Sequence, residues 1–432
     1  MNVAVLRHLV FALVLPGISQ STPELHIDAG RLQQLLTDLS EFGKNPEGGV
    51  SRLAFSRADR DARAWLVDLM KSAGLEVWVD AAGNIHGRRR GTDPARPIIL
   101  FGSHIDSVPR GGNFDGNVGS MAALEVMLTL HADQAQTKHP LEMVVWAFED
   151  SGKGLFGSRS ATRGPDPGEL KLTNEEGLSV AERLRQLELD PDHIDTARIR
   201  PEEYEAYLEL HIEQGPVLFR RGVEIGVVEG IVGVQHFEVS VEGFANHAGT
   251  TPMEERRDAL IAASRLIRAV REEVMAKPGS QVGNVGWVKV APGAPNVVPG
   301  LVTMPIELRA LDEAVLADMI ARIRARAAAI AEEDKVSISI QRYSHTEPVL
   351  VDTELKELIE SVAQEAGFST LRMPSGAGHD AQVLARHGIP IGMIFVPSRD
   401  GISHSPKEWT DWVDCARGAE VLYRTIRALD NR

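Results

Sequence analysis

The segment from Gly102 to Gly116 constrains this chain more than any other. It sets one histidine, His104, and two aspartates, Asp106 and Asp115, in a polar, glycine-rich stretch. The run before it, Pro97-Ile98-Ile99-Leu100-Phe101, is short, apolar and rich in β-branched residues, and predicts a buried strand. The run after it, from Asn117 to about Leu130, predicts a helix. Open α/β folds place their chemistry in loops at the carboxyl ends of sheet strands. Imidazole and carboxylate together suit zinc and neighbouring divalent ions, and the two oxygens of Asp115 allow it to bridge two of them. His104 and Asp106, two residues apart, read as a ligand and the carboxylate that orients it. On its own, a His-x-Asp is a common pattern in solvated loops, so the reading needs more ligands.

Further candidates occur in similar settings. Leu141 to Phe148 predicts a second strand, ending in Glu149-Asp150. Adjacent residues on an extended chain point to opposite sides, so one carboxylate can bind metal while the other handles protons. His211 follows Tyr207-Leu208-Glu209-Leu210, and His404 follows the strand-like run Ile391 to Val396. Taken singly, each histidine reads as structural. Together His104, Asp115, Asp150, His211 and His404, with Glu149 beside them, suffice for two divalent ions sharing one carboxylate.

The rest of the chain divides around these elements. His26–Gly43 and Asp59–Gly74 read as amphipathic helices and Leu75–Asp80 as a strand. Between about residues 230 and 345 the pattern changes: a strand near 236–243, a helix over 254–275, strands over 281–290 and 302–309, a helix over 314–332 and a strand over 336–340. The order β-α-β-β-α-β is a ferredoxin-like unit. It is expected as an insertion at 230–345 in an α/β catalytic domain made of 23–229 and 346–432. Within it, His247 lies in a turn of small residues, where an imidazole can polarise a carbonyl oxygen as charge develops. Asn296 and Arg309 supply an amide and a guanidinium fork that suits a carboxylate, although a lone Arg at a strand end also reads as a surface ion pair. Thr250, Thr251 and Pro252 are expected to cap the following helix.

With 432 residues, 43% of them hydrophobic, the chain can build two real cores. Its net charge of −15 argues against nucleic acid and anionic membranes as partners. The single cysteine, Cys415, excludes an internal disulfide and a thiolate metal site. Residues 1–22, with Arg7 and the apolar run from Leu9 to Leu15, have the layout of a short signal peptide. That leaves a cytoplasmic and a periplasmic or secreted location both open. No run in the mature part is long enough to span a bilayer.

At this point the chain resembles a known family, the N-carbamoyl-L-amino-acid hydrolases, allantoate amidohydrolases and β-ureidopropionases among the zinc-exopeptidase-like amidohydrolases. The motifs are Gly-Ser-His-Ile-Asp-Ser-Val-Pro at 102–109, Leu-His-Ile-Glu-Gln-Gly-Pro at 210–216 and Ala-Asn-His-Ala-Gly-Thr-Thr-Pro-Met at 245–253. They continue with Asn-Val-Val-Pro at 296–299, Ser-Gly-Ala-Gly-His-Asp-Ala at 375–381 and Ser-His-Ser-Pro at 403–406. The resemblance implies a mixed-sheet catalytic domain with an inserted lid and dimerisation domain. It implies one metal on His104, Asp115 and His211, another on Asp115, Asp150 and His404, and Glu149 as general base, with Asp106 and His247 also in the catalytic set. Zinc or manganese is expected, with cobalt or nickel as further options. Gln214, His247, Asn296, Arg309, Gly376 and Ala377 would contact a small ureido acid, and a homodimer would form through 230–345.

Two departures from the family pattern stand out. The usual Glu-Glu-Gly-Ser/Ala-Arg-Phe is here Glu149-Asp150-Ser151-Gly152-Lys153-Gly154, a shorter loop without the Arg-Phe pair. Glu307 replaces the usual Asp two residues before Arg309. The expected reaction is hydrolysis of a ureido carbon–nitrogen bond by a water activated by the ions, with Glu149 moving the proton. A peptidase or N-acyl-amino-acid hydrolase on the same scaffold, and a catalytically impaired binding relative, remain alternatives.

Overall fold

The computed structural model describes residues 25–432, so the expected signal peptide lies outside the described residues. The larger body is a mixed nine-stranded sheet. At its centre Leu141–Trp146, Ile98–His104, Tyr204–Ile212 and Ile391–Val396 run parallel and adjacent. Antiparallel strands flank them, including Ile85–Arg89 on one side and Ile225–Ile231 on the other.

Alternation along the central strands builds the two cores. Ile99 and Phe101 face one cluster and Ile98 and Leu100 the other, as successive side chains must. Helices Ala29–Leu39, Asn117–Ala132, Thr353–Glu365 and Trp412–Asp430 contribute to the first. Phe156–Thr162 and Asp380–Arg386 contribute to the second. Helix Asn117–Ala132 is buried on nearly every side, which explains its continuous apolar sequence.

A second sheet of five antiparallel strands spans Gly233–Thr346 and has its own core. Gly233–Glu242 lies between Leu301–Ala310 and Ser337–Thr346. In chain order this is the 4-1-3-2 arrangement of a ferredoxin-like unit, with helices Ala259–Met275 and Glu313–Glu333 on one face. The single strand expected over 281–290 is instead two short ones. Val282–Asn284 pairs with Glu307–Arg309, and Lys289–Ala291 with Leu301–Thr303. The helix expected from Glu254 starts at Ala259. Its cap is Asp258, whose carboxylate accepts from the Leu260 and Ile261 amides, and not Thr250–Pro252. The Thr251 hydroxyl instead bonds the His247 carbonyl at 2.7 Å. Among the described residues no helix is long and apolar enough to cross a membrane.

Candidate active site

The parallel strands bring their carboxyl ends to one edge, and the five candidate ligands collect there. His104 is the last residue of its strand, paired opposite Trp146, and not a member of the loop as the sequence implied. His211 is the next-to-last residue of its strand. Asp115, Asp150 and His404 come from the turns beyond.

Asp115 is the centre of the arrangement. Its Oδ1 lies 3.1 Å from His211 Nε2 and 4.0 Å from His104 Nε2. Its Oδ2 lies 3.0 Å from His404 Nε2, which is itself 3.3 Å from Asp150 Oδ1. The two oxygens thus face two separate donor sets, His104/Asp115/His211 and Asp115/Asp150/His404. Backbone carbonyls fix the rings: His104 Nδ1 pairs with Asp106 O at 3.1 Å and His211 Nδ1 with Ile212 O at 2.9 Å, which leaves both Nε2 atoms for the site. Glu149 Oε2 stands 3.6 Å from His104 Nε2. Gln214 donates from Nε2 to Asp115 Oδ2 at 3.0 Å, while its buried Oε1 has no partner among the described residues. Gln214 and His404 both hold φ above +50°, a conformation that side chains other than glycine adopt at a cost and that clusters at functional sites.

The supporting residues explain why the site sits where it does. Asp106 does not turn its carboxylate to His104, which is 3.7 Å away. It accepts instead from the Glu149 and Asp150 amides at 3.0 and 3.1 Å and so fixes the next turn. Gly116 turns with φ +65°, and a Cβ there would lie 2.4 Å from the His104 ring. Arg52, fully buried, ties Ile105 O and Asn117 Oδ1 together at 2.6 and 2.8 Å, spanning both ends of the Asp115 loop. Glu408 accepts from the Phe114 and Asp115 amides with one oxygen, and from Ser403 beside His404 with the other. The same Ser403 hydroxyl lies 3.1 Å from Asp115 Oδ2, so the two carboxylates share its one proton. The sequence reading missed Arg52 and Glu408. The one local signal for Glu408 is Gly112, where a Cβ would fall 2.0 Å from its carboxylate.

The electrostatics are those of a site crowded with carboxylates. Burial, reinforced by Asp380, Asp150, Asp106 and Asp115, pushes Glu149 well above the usual carboxylate range. Burial and then Asp115 raise Asp150 to about 7. Asp115 stays well below the ordinary value because hydrogen bonds from His211 and His404 outweigh its burial. Burial lowers His104 to about 4, which keeps its imidazole neutral and able to ligate. Converging histidine nitrogens, clustered buried carboxylates and an unsatisfied amide oxygen fit divalent cations in both donor sets. The shorter Asp150 still reaches its set. Its second oxygen accepts from the Val108 amide at 2.8 Å, which anchors the turn close to the cluster.

The remaining predicted residues lie apart from this cluster. His247 is exposed, on a two-residue strand paired with Val297–Val298, and Asn296 is exposed beside it. Neither hydrogen-bonds to the five ligands. Arg309 is half-spent: its Nε takes Glu307 at 2.8 Å and its NH1 takes the Gly376 carbonyl at 2.7 Å. Gly376 and Ala377 therefore sit at the contact between the inserted sheet and the catalytic body. Next to them His379, buried, packs edge-on against His211 with ring centroids 4.5 Å apart. It too was not singled out from sequence.

Comparison with known proteins shows the family of the chain. Residues 100–428 match the peptidase family M20/M25/M40. The chain is 42% identical over 403 residues to an N-carbamoyl-L-amino acid amidohydrolase of Geobacillus stearothermophilus, covering 93% of this chain and 98% of that one. It is 35% identical over 396 residues to the allantoate amidohydrolase of Escherichia coli, covering 90% and 95%. A crystal structure of a hydantoinase/carbamoylase family amidase from Burkholderia multivorans superposes with a TM-score of 0.87 at 34% identity, over 94% of this chain and 98% of that one. The chain therefore belongs to peptidase family M20/M25/M40, among its amidohydrolases, which hydrolyse carbon–nitrogen bonds other than peptide bonds.

Proposed function

We propose that this protein hydrolyses the ureido carbon–nitrogen bond of an N-carbamoyl amino acid or a ureido acid such as allantoate. The observation that carries the reading is the Asp115 carboxylate, its two oxygens turned to two donor sets with Glu149 alongside. His104, Asp115 and His211 would hold one divalent ion, and Asp115, Asp150 and His404 another, zinc or manganese fitting the nitrogen and oxygen donors. Such ions supply Lewis acidity to a carbonyl and lower the pKa of water. Glu149 takes a proton from the attacking water and returns it to the departing nitrogen. Cleavage of the carbamoyl group releases the amine, carbon dioxide and ammonia. Gln214, beside Asp115, would orient the ureido group, and Arg309, Asn296 and His247 are assigned to the carboxylate end, with Gly376 and Ala377 as further contacts.

The 230–345 unit then acts as a lid, since the carboxylate-binding residues lie on it and the metal ligands do not. The same unit is the surface for a homodimer, on which Phe244, Met253 and Ile261 stand exposed. The test is ammonia release from allantoate, N-carbamoyl-L-amino acids and N-carbamoyl-β-alanine, with zinc, manganese, cobalt or nickel added in turn. Ammonia from at least one ureido acid is expected. Cleavage of dipeptides or N-acyl amino acids without ammonia would replace the ureido reading with the peptidase one.

A further inference from the structure

A cavity of about 600 Å³ opens beside the Glu149–Asp150 turn, and the reaction described above makes no use of it. Its walls are apolar where Phe55, Phe148, Leu172 and Leu178 line it. Arg183 also lines it, and this residue is only 7% exposed. Its guanidinium lies 5.1 Å from the Phe148 ring centroid and 6.0 Å from that of Phe55. The side chain makes a single hydrogen bond, from NH1 to the Ala54 carbonyl at 3.2 Å. Its Nε is buried with no partner, and no carboxylate among the described residues pairs with it. A buried cation without a counter-charge is costly, and proteins rarely leave one so.

The acids around the cavity supply that counter-charge only in part. Glu169 is held by both Arg159 terminal nitrogens, at 2.5 and 2.7 Å, and Glu175 is exposed, as is Glu176, whose carboxylate acts on Arg183 through space without pairing with it. Arg60 lines the cavity as well and bonds only the Phe55 carbonyl and the Gln186 side chain, so it adds a second cation without a carboxylate partner. Burial holds the Arg183 guanidinium below its ordinary pKa, and the exposed Glu176 offsets this only in part.

We propose that this cavity is a second small-molecule site, for an aliphatic or aromatic monocarboxylate. The carboxylate sits on Arg183 and Arg60, and the apolar body lies against Phe55, Phe148, Leu172 and Leu178. A fork of guanidinium donors suits a carboxylate, and apolar walls favour an anion with a hydrocarbon body over an inorganic one. The site also touches the reaction centre. Phe148 directly precedes Glu149, and Ser151, on the cavity wall, donates to Asp106 at 3.3 Å. An occupant therefore bears on the turn that carries Glu149 and Asp150. The assignment does not depend on which bond the enzyme cleaves.

The test is calorimetric titration of the full chain with phenylacetate, phenylacetamide and acetate, in wild-type, Arg309→Ala, Arg183→Met and Leu172→Trp proteins. Arg309→Ala removes the guanidinium assigned above to the substrate carboxylate. Leu172, 45% exposed, can be enlarged to block the cavity without disturbing the core. The expected result is one saturable phenylacetate site that survives Arg309→Ala. It should weaken about tenfold or more in both Arg183→Met and Leu172→Trp, and phenylacetamide and acetate should each bind about tenfold or more weaker than phenylacetate. Should Arg183→Met fail to fold, Leu172→Trp decides. No saturable site, a site lost in Arg309→Ala, binding indifferent to the cavity variants, or acetate or phenylacetamide binding as well as phenylacetate would each overturn the proposal.

Discussion

Asp115 is the residue on which both donor sets depend, so its removal should act on both at once. Asp115→Ala is expected to lose both metals, whereas His404→Ala, at the exposed end of one set, should mainly weaken a single ion. Metal content per chain by elemental analysis checks this. Two tightly held ions in Asp115→Ala would end the bridging assignment. Glu149→Gln separates proton transfer from metal binding, because the amide keeps the shape but cannot accept a proton. Metal content should stay, and turnover should fall about a hundredfold or more. A near-normal rate would point to Asp150, whose carboxylate burial and Asp115 also hold high. Glu408 tests a different kind of role, since it touches backbone amides and Ser403 instead of the ligand nitrogens. Glu408→Ala should loosen the Asp115 and His404 turns together and lower metal affinity at both donor sets. Retained affinity for both ions would show that Arg52 and Gly116 suffice to place the loop.

At the scale of elements, the edge of the sheet holds a titratable network that ties strand to strand. His86 on Ile85–Arg89 lies between Glu142 on Leu141–Trp146, at 2.8 Å, and Asp80, at 3.3 Å, and it stacks on Trp78. Burial alone would lower its pKa, but hydrogen bonds to Asp80 and Glu142 outweigh burial and raise it to about 9. A His whose pKa is raised on folding stabilises the fold fully below its unfolded value of about 6.5. That contribution is lost as pH climbs through about 9. Unfolding free energy measured by denaturant should therefore fall between pH 7 and 10, by roughly 3 kcal/mol at most from this group. His86→Gln should flatten that part of the profile, and an equal slope in the variant would assign it elsewhere. Elements such as this sheet were readable from sequence because buried strands leave short β-branched runs, as at Ile98–Phe101 and Ile391–Val396. Boundaries were less readable. The strand at Ile98 runs on through Gly102-Ser103-His104 because tertiary pairing with Val144–Trp146 overrides the local polar character. The helix start was misplaced because Asp258 caps it from an extended segment that local pattern does not mark. Of the candidate ligands, His104, Asp150 and His211 stood out because each stands at or near the end of an apolar run, whereas Asp115 and His404 lie in polar loops beyond such runs. Glu408 and Arg52 did not stand out, because a charged residue looks solvent-facing until the loops it satisfies are seen to close over it.

The whole molecule sets the candidate metal ligands and the candidate carboxylate-binding residues on two different bodies. Arg309 already links them, reaching from the inserted sheet to the Gly376 carbonyl, while Glu307 occupies its Nε and is itself shared with His236 at 2.9 Å. A substrate carboxylate arriving at this guanidinium must use the nitrogen left over or displace Gly376. Either way, binding alters the contact that holds the inserted unit against the body. On the proposed reading, closure that brings His247 and Asn296 toward the candidate metal ligands would be driven by the acid end of the substrate, remote from the bond that breaks. Arg309→Ala should accordingly raise KM for a ureido acid far more than for its amide, since only the acid offers a carboxylate to the fork. The acid should lose about a hundredfold in kcat/KM and the amide about tenfold or less. Steady-state kinetics on the matched pair measure this. Equal losses on acid and amide would mean that Arg309 serves only to pin the inserted sheet to Gly376, and that the carboxylate is read elsewhere.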